Sequence, residues 1–196
     1  MTLQLVEKYQ KKLRHADETR KRMELLFSQG ALIERDILAV YEGLFLRSVV
    51  GFEDLVETVF FQILEGRSHK STWGCKISGP VASLRKCVLQ DKNYLDWLPI
   101  DKTIDRSNIY LRGGKPFSSL DSDDKSKLVQ VMAIRNAIAH PSASALAKFK
   151  KQVVGNTAIP HRERRPAPYL RGQSRPSTCR FEIFVQGLGQ IANKFK

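Results

Sequence analysis

Residues 132–143 read MAIRNAIAHPSA, which sets a guanidinium, a carboxamide and an imidazole close together in the chain. On a helix, Asn136 and His140 stand at i and i+4 on one face, and Arg135 borders that face. Pro141 disfavours a helical His140, so the helix is expected to end or bend there. The three polar groups then meet at a helix terminus. Arginine holds phosphate oxygens with a planar fork and does not lose its charge. Histidine moves a proton near neutral pH. In this reading Arg135 stabilises phosphate charge, His140 transfers protons and Asn136 orients. An RNA strand supplies its own nucleophile, the 2′-hydroxyl. Cleavage then needs a base, an acid and stabilisation of the oxygens that become more negative. That chemistry calls for no metal ion and no other cofactor.

The specificity of the pattern can be weighed. With sixteen Arg and four His in 196 residues, R-x4-H arises by chance in roughly one chain in three. Requiring Asn directly after the Arg lowers this to roughly one in a hundred. The competing reading is an ordinary helix end, with His140 near the terminal carbonyls and Arg135 on the surface.

Two strong helices must position these groups. Leu120–His140 carries a broad apolar face (Leu128, Val131, Met132, Ile134, Ile138, Ala139), can be capped by Ser119 or Asp121, and has Asp123 and Asp124 at its positive end. The segment Ile33–Gly66 is apolar around nearly its whole circumference, as expected of a buried central helix. A charge on such a helix must be paired, exposed at an edge, or functional. Glu53, in mid-helix, is the first choice for an acidic partner of Arg135 or His140. Asp54 is the second, because it shares a face with Arg47 and can simply pair with it. Glu42 reads as a surface residue.

Around these, Leu3–Gln29 reads as a charged helix with a solvated middle and an apolar last turn, ended by Gly30. Gly66–Gly79 reads as a loop, Pro80–Leu89 as a short helix and Ile100–Phe117 as irregular chain. Ser142–Val154 can form one more short helix. Residues 155–178 read as a Pro/Arg-rich linker, and Arg180–Phe195 as a final helix burying Phe181, Phe184, Val185, Leu188 and Ile191. No repeat is visible, and nothing alternates with period two for long enough to suggest a sheet. The expectation is one all-α domain over 1–196: a helical bundle core over about 1–154, the basic linker 155–178 and the terminal helix 179–196.

The formal net charge is +13, and most of the excess falls after Pro141. Such a field concentrates polyanions, which makes RNA the expected partner. Arg162, Arg164, Arg165 and Arg171, interleaved with Tyr169, could contact phosphates and stack on single-stranded bases, with Arg47 a further basic contact. The competing reading is a plain soluble linker. Cys75, Cys87 and Cys179 are odd in number and lack CxxC spacing, which argues against a disulfide framework or zinc knuckle and for a reducing cytoplasm. The N-terminus lacks the apolar core of a signal peptide, and no run suits a membrane span. His15, His69 and His161 lie in charged or loop segments and read as solvated.

The stretch RNAIAH, residues 135–140, resembles the R-x4-6-H motif of the HEPN superfamily, in which a polar residue commonly follows the arginine, as Asn136 does here. FLRSVVGFEDLVETVF resembles the second HEPN helix, and the order of segments is similar to RiboL-PSP-type HEPN domains. The resemblance covers most of residues 1–154. It implies a HEPN-like helical fold and a metal-independent endoribonuclease that leaves a 2′,3′-cyclic phosphate and a 5′-hydroxyl. It also implies a toxin or antiviral effector, held in check by an inhibitory partner protein. Finally it implies a homodimer in which two copies of His140 divide the roles of base and acid. The alternatives are a non-catalytic HEPN module that binds RNA or a protein, and a basic helical DNA-binding protein, for which no convincing helix-turn-helix pair is present.

Overall fold

The computed structural model describes residues 2–68, 70–90, 92 and 94–196; His69 lies outside them. Among the described residues the chain forms eight α-helices and one two-stranded antiparallel hairpin. The helices are α1 (Thr2–Ser28), α2 (Glu34–Leu64), α3 (Val81–Leu89), α4 (Ile100–Tyr110), α5 (Ser122–Ala139), α6 (Ala143–Phe149), α7 (Pro166–Arg171) and α8 (Arg180–Asn193). The strands are β1 (Gln173–Arg175) and β2 (Thr178–Cys179). The fold is all-α, as the apolar periodicity predicts. One continuous core runs from Val6 to Phe195.

The central rod is α2. Ile37, Tyr41, Phe45, Val49, Phe52, Val56, Val59, Phe60 and Ile63 are each at most 1% exposed. Both neighbouring helix ends are closed by a glycine in the left-handed region. After α1, Gly30 (φ 76°) lets Ala31 N–H reach Leu26 C=O. After α2, Gly66 (φ 72°) lets Arg67 N–H reach Gln62 C=O. This is the paired-carbonyl cap that only a residue tolerant of positive φ supports without strain.

Helix α1 departs from expectation. Its middle is docked, not solvated: Val6, Tyr9, Leu13, Ala16 and Arg20 form a buried stripe against the rest of the fold. Tyr9 donates its hydroxyl to the Ser48 carbonyl at 3.0 Å, and Arg20 donates to Asp17 at 2.8 Å. The last turn is the solvated part, with Leu25 58% exposed.

Two further segments are more ordered than expected. Ile100–Phe117 is not irregular, because Ile100–Tyr110 is helical (α4), with the buried Thr103 hydroxyl donating to the Trp97 carbonyl at 2.7 Å. Residues 155–178 are not a bare linker. Pro166 starts α7, which buries Pro166, Ala167 and Leu170. Strands β1 and β2 follow, turning through Pro176 and Ser177 (φ 66°), the dihedral pattern of a type II turn.

Helix α8 packs among α1, α2 and α5. It runs in the same sense as α2, shown by the ring pairs Tyr41–Phe181, Phe45–Phe184 and Phe52–Phe195, with centroids 5.6, 6.2 and 6.1 Å apart. It also anchors α5: the Asp121 carboxylate accepts the N–H groups of Asp123 and Asp124 as a cap, and Lys194 donates to Asp121 at 2.7 Å. No described helix is long and apolar enough to cross a membrane.

Candidate active site at the end of α5

Helix α5 ends where Pro141 requires. Ala139 is its last residue, and His140 leaves helical geometry with φ −139° and ψ 75°. The Ser142 N–H then donates to the His140 carbonyl at 2.6 Å, an i to i+2 bond of γ-turn type centred on Pro141. Proline's fixed φ suits that central position. Ser142 next caps α6 by accepting the Ala145 N–H at 3.2 Å.

Within the last turns of α5, burial falls away in steps. Ile134 and Ala137 are enclosed, at 0% and 3% exposed. Arg135 and Asn136 are half-buried, and His140 is exposed. The Arg135 Nη1 donates to Asn136 Oδ1 at 3.1 Å. This is the one side-chain hydrogen bond that Arg135 makes among the described residues. Its other N–H donors, the part of the fork that takes a bidentate anion, are free. His140 makes no side-chain hydrogen bond among the described residues, to Arg135 or to any other group. The imidazole and the guanidinium are brought to one helix end without a hydrogen bond between them.

The two acidic candidates separate clearly. Glu53 is half-buried on α2 and has no hydrogen bond or ion pair among the described residues. Burial raises its carboxyl above the ordinary range. The Arg135 charge pulls it back down, and Asp54 and Asp96 add to the rise. Glu53 is therefore within electrostatic reach of Arg135 without a direct ion pair. Asp54 is exposed and lines a shallow cleft on the α1 side, with Lys8, Tyr9 and Lys12. The expected Arg47–Asp54 pair is not formed, and Arg47 is exposed. Glu42 is half-buried, and burial raises its carboxyl.

The basic residues of the C-terminal third divide as well. Arg162, Arg164 and Arg165 are exposed and carry no carboxylate partner among the described residues. Arg171 is engaged: its Nε and Nη2 donate to the two Glu24 oxygens at 2.9 and 3.1 Å. Tyr169 is a packing residue and not an open stacking platform. Its ring meets Phe149 edge-on at 5.5 Å and carries the Arg180 guanidinium at 4.7 Å. A cleft of about 730 Å3 between α1, α2 and the α7–hairpin segment has arginine walls. Three of these arginines are already neutralised: Arg20 by Asp17, Arg171 by Glu24 and Arg180 by Glu163. It is not the motif's site.

A smaller pocket does adjoin the motif. Asn136 lines a cavity of about 250 Å3 between the start of α4, α5 and α6. Lys148 and Gln152 form its far wall. Both were missed from sequence. The available signal was their i, i+4 spacing immediately after the proline turn. The three cysteines are free thiols, and His15 and His161 are exposed. Among the described residues no three His, Cys, Asp or Glu side chains gather as a metal-holding group. Compared with known proteins, the chain matches no family model, no curated relative and no solved structure.

Proposed function

We propose that this protein is a metal-independent endoribonuclease of HEPN type. The reading is carried by one observation: Arg135 is half-buried and tied to Asn136, within electrostatic reach of the Glu53 carboxylate, with most of its guanidinium donors unused among the described residues. A cation kept partly desolvated and under-bonded is poised for an anion that the chain itself does not provide. His140, one turn further and exposed, is the group that can exchange protons with that anion's substrate.

The reaction is attack of a ribose 2′-oxygen on its own 3′-phosphate. His140 of one protomer takes the 2′-hydroxyl proton. The His140 of a second protomer gives a proton to the departing 5′-oxygen. The new bond is 2′-O to P, the broken bond is P to 5′-O, and the products are a 2′,3′-cyclic phosphate and a 5′-hydroxyl. Arg135 holds the non-bridging oxygens, Asn136 fixes its fork, and the Glu53 carboxylate, when ionised, attracts its charge from α2. A homodimer would supply the second His140, since each active cleft would combine both copies. Exposed Arg162, Arg164 and Arg165 add phosphate contacts that set register without reading sequence. The biological setting that fits is a toxin or antiviral effector held by an inhibitory partner protein.

The test is direct. Purified protein is incubated with mixed cellular RNA with and without EDTA, and the new ends are mapped. Cyclic-phosphate and 5′-hydroxyl ends in both conditions, absent with His140→Ala, are expected. Tight RNA binding with no new ends would leave a non-catalytic RNA-binding module as the reading.

A further inference from the structure

The pocket beside Asn136 belongs to the same helical stripe as the motif. Val129, Met132, Asn136 and His140 follow at spacings of three, four and four along α5. The first three line the pocket. The His140 N–H donates to the Asn136 carbonyl at 2.9 Å. The imidazole-bearing residue therefore sits one turn, about 6 Å along the axis, from the pocket's polar end.

The lining has a definite character. Val129, Met132 and Ala133 of α5 face Ile100 of α4 and Ala145 of α6, which makes an apolar slot. Its polar lining residues are Asp101, Asn136, Lys148 and Gln152. The Asn136 Oδ1 accepts from Arg135 Nη1, so its amide N–H groups remain, without a partner among the described residues. Lys148 and Gln152 add donors from the opposite wall, and Asp101 adds one carboxylate acceptor. None of these three makes an ion pair or side-chain hydrogen bond among the described residues. At about 250 Å3, the space is below the roughly 300–1,000 Å3 of pockets that enclose drug-sized ligands. A flat apolar slot with hydrogen-bonding groups in its lining is how proteins take up a single unstacked base.

We propose that this pocket receives one nucleobase of the RNA, that of the nucleotide next to the phosphodiester held at Arg135 and His140. The proposal rests on the ribonuclease reading for its substrate. The polar lining selects a base with carbonyl acceptors and a ring N–H, namely uracil or guanine. Asn136 and Lys148 donate to O2 and O4 of uracil, or to O6 and N7 of guanine, and Asp101 accepts the ring N–H. Adenine and cytosine lack that ring N–H and put an amino group where O6 or O4 would accept.

The experiment separates binding from cleavage. The chain has three methionines; Met132 lines the pocket and Met23 lies on α1. The protein carrying 13C-methyl methionine is titrated with UMP, GMP, AMP and CMP in turn. The Met132 methyl is expected to shift with UMP or GMP, several-fold less with AMP and CMP, while Met23 stays fixed. Ala145→Phe fills the slot and should abolish the shift. Lys148→Ala, an exposed change, should weaken it without altering the melting temperature. A Met132 signal indifferent to all four nucleotides, or moved equally by all four, overturns the proposal. So does a response that survives Ala145→Phe in a folded protein. In parallel, the ends left on a random RNA pool are sequenced. A uracil or guanine enrichment of roughly ten-fold or more at one position beside the cut is expected. Cleavage without base preference overturns the pocket and leaves the ribonuclease reading standing. A selective Met132 response in a protein that cuts nothing supports the pocket and overturns the ribonuclease reading.

Discussion

Replacing His140 by alanine should remove activity while leaving the fold untouched, and the two effects can be sized separately. His140 is exposed, and its side chain makes no hydrogen bond among the described residues. Its structural duties are those of its backbone, the N–H bond to the Asn136 carbonyl at 2.9 Å and the carbonyl that accepts the Ser142 N–H at 2.6 Å, and alanine makes both. Surface changes of this kind stay within about 0.5 kcal/mol. For a domain of this size that corresponds to a melting shift of at most about 1–2 °C. Loss of a general acid or base lowers the rate by about 10²–10⁴-fold, or about 2.7–5.4 kcal/mol of barrier. The assay pairs cleavage of a fluorophore-quencher RNA under single-turnover conditions in EDTA with thermal unfolding followed by circular dichroism. Wild-type rates from the His140→Ala protein would refute the reasoning. A melting point lowered by many degrees would refute the structural half of it, because an exposed and unbonded side chain has no such stability to give up.

Arg135→Lys keeps the charge but replaces the planar fork with a point charge and breaks the bond to Asn136. Single-turnover cleavage should fall at least about ten-fold with little change in melting temperature, since the two side chains are not interchangeable at a bidentate site. For Glu53, burial holds the folded-state carboxyl above its unfolded value. The stability it contributes is therefore present below the unfolded pKa and is lost as pH rises through the folded one. Urea titrations from pH 4 to 8 should show Glu53→Gln losing less stability than wild type across that rise; identical pH profiles would remove the buried carboxylate from the account. At Glu24, burial alone would raise the carboxyl, but the hydrogen bonds from Arg171 and Tyr41 outweigh it and hold it below its usual value. Its contribution is thus present at neutral pH and fades as pH falls through that lowered value. Glu24→Ala strands both donors, which should cost about 1–3 kcal/mol at pH 7 and speed tryptic cutting after Arg162 and Arg164.

The long apolar helix, the capped α5 and its stop at Pro141 were legible because each is a local pattern. What escaped was set by distant contacts. The stripe on α1 repeats at three and four residues, but it uses Tyr9, Ala16 and Arg20 as well as Val6 and Leu13. A tyrosine counts as buried only once Ser48 offers a carbonyl, and an arginine only once Asp17 and Glu182 flank it. Conversely, Leu25 and Leu26 look like core and are exposed. The arginines of 162–175 look alike in sequence, yet Arg171 finds Glu24, 147 residues away. The choice between Glu53 and Asp54 was equally beyond periodicity. They are neighbours on a helix buried nearly all round, and the two sides differ only because α1 brings Lys8 and Lys12 to one and α5 brings Arg135 to the other.

If the end of α5 is the proposed ribonuclease site, a proline at this point has a physical purpose. A phosphate-holding arginine and a proton-carrying histidine have opposite requirements. The fork is most effective when fixed and partly dry, where its charge is least screened; the imidazole must be reachable by substrate. On an uninterrupted helix, His140 would stay on the Asn136 face, turned about 140° from Arg135. Ending the helix at Ala139 leaves Arg135 held between Ile134 and Ala137, both enclosed, while His140 steps into solvent one turn later. The γ-type turn at Pro141 does a second thing: it sends the chain back along α5, so that α6 and its continuation carry Lys148 and Gln152 to the pocket that Asn136 lines. A helix continuing through 140 would carry that wall away from Asn136. Motif and pocket are in this sense one construction, set by where the backbone is made to reverse.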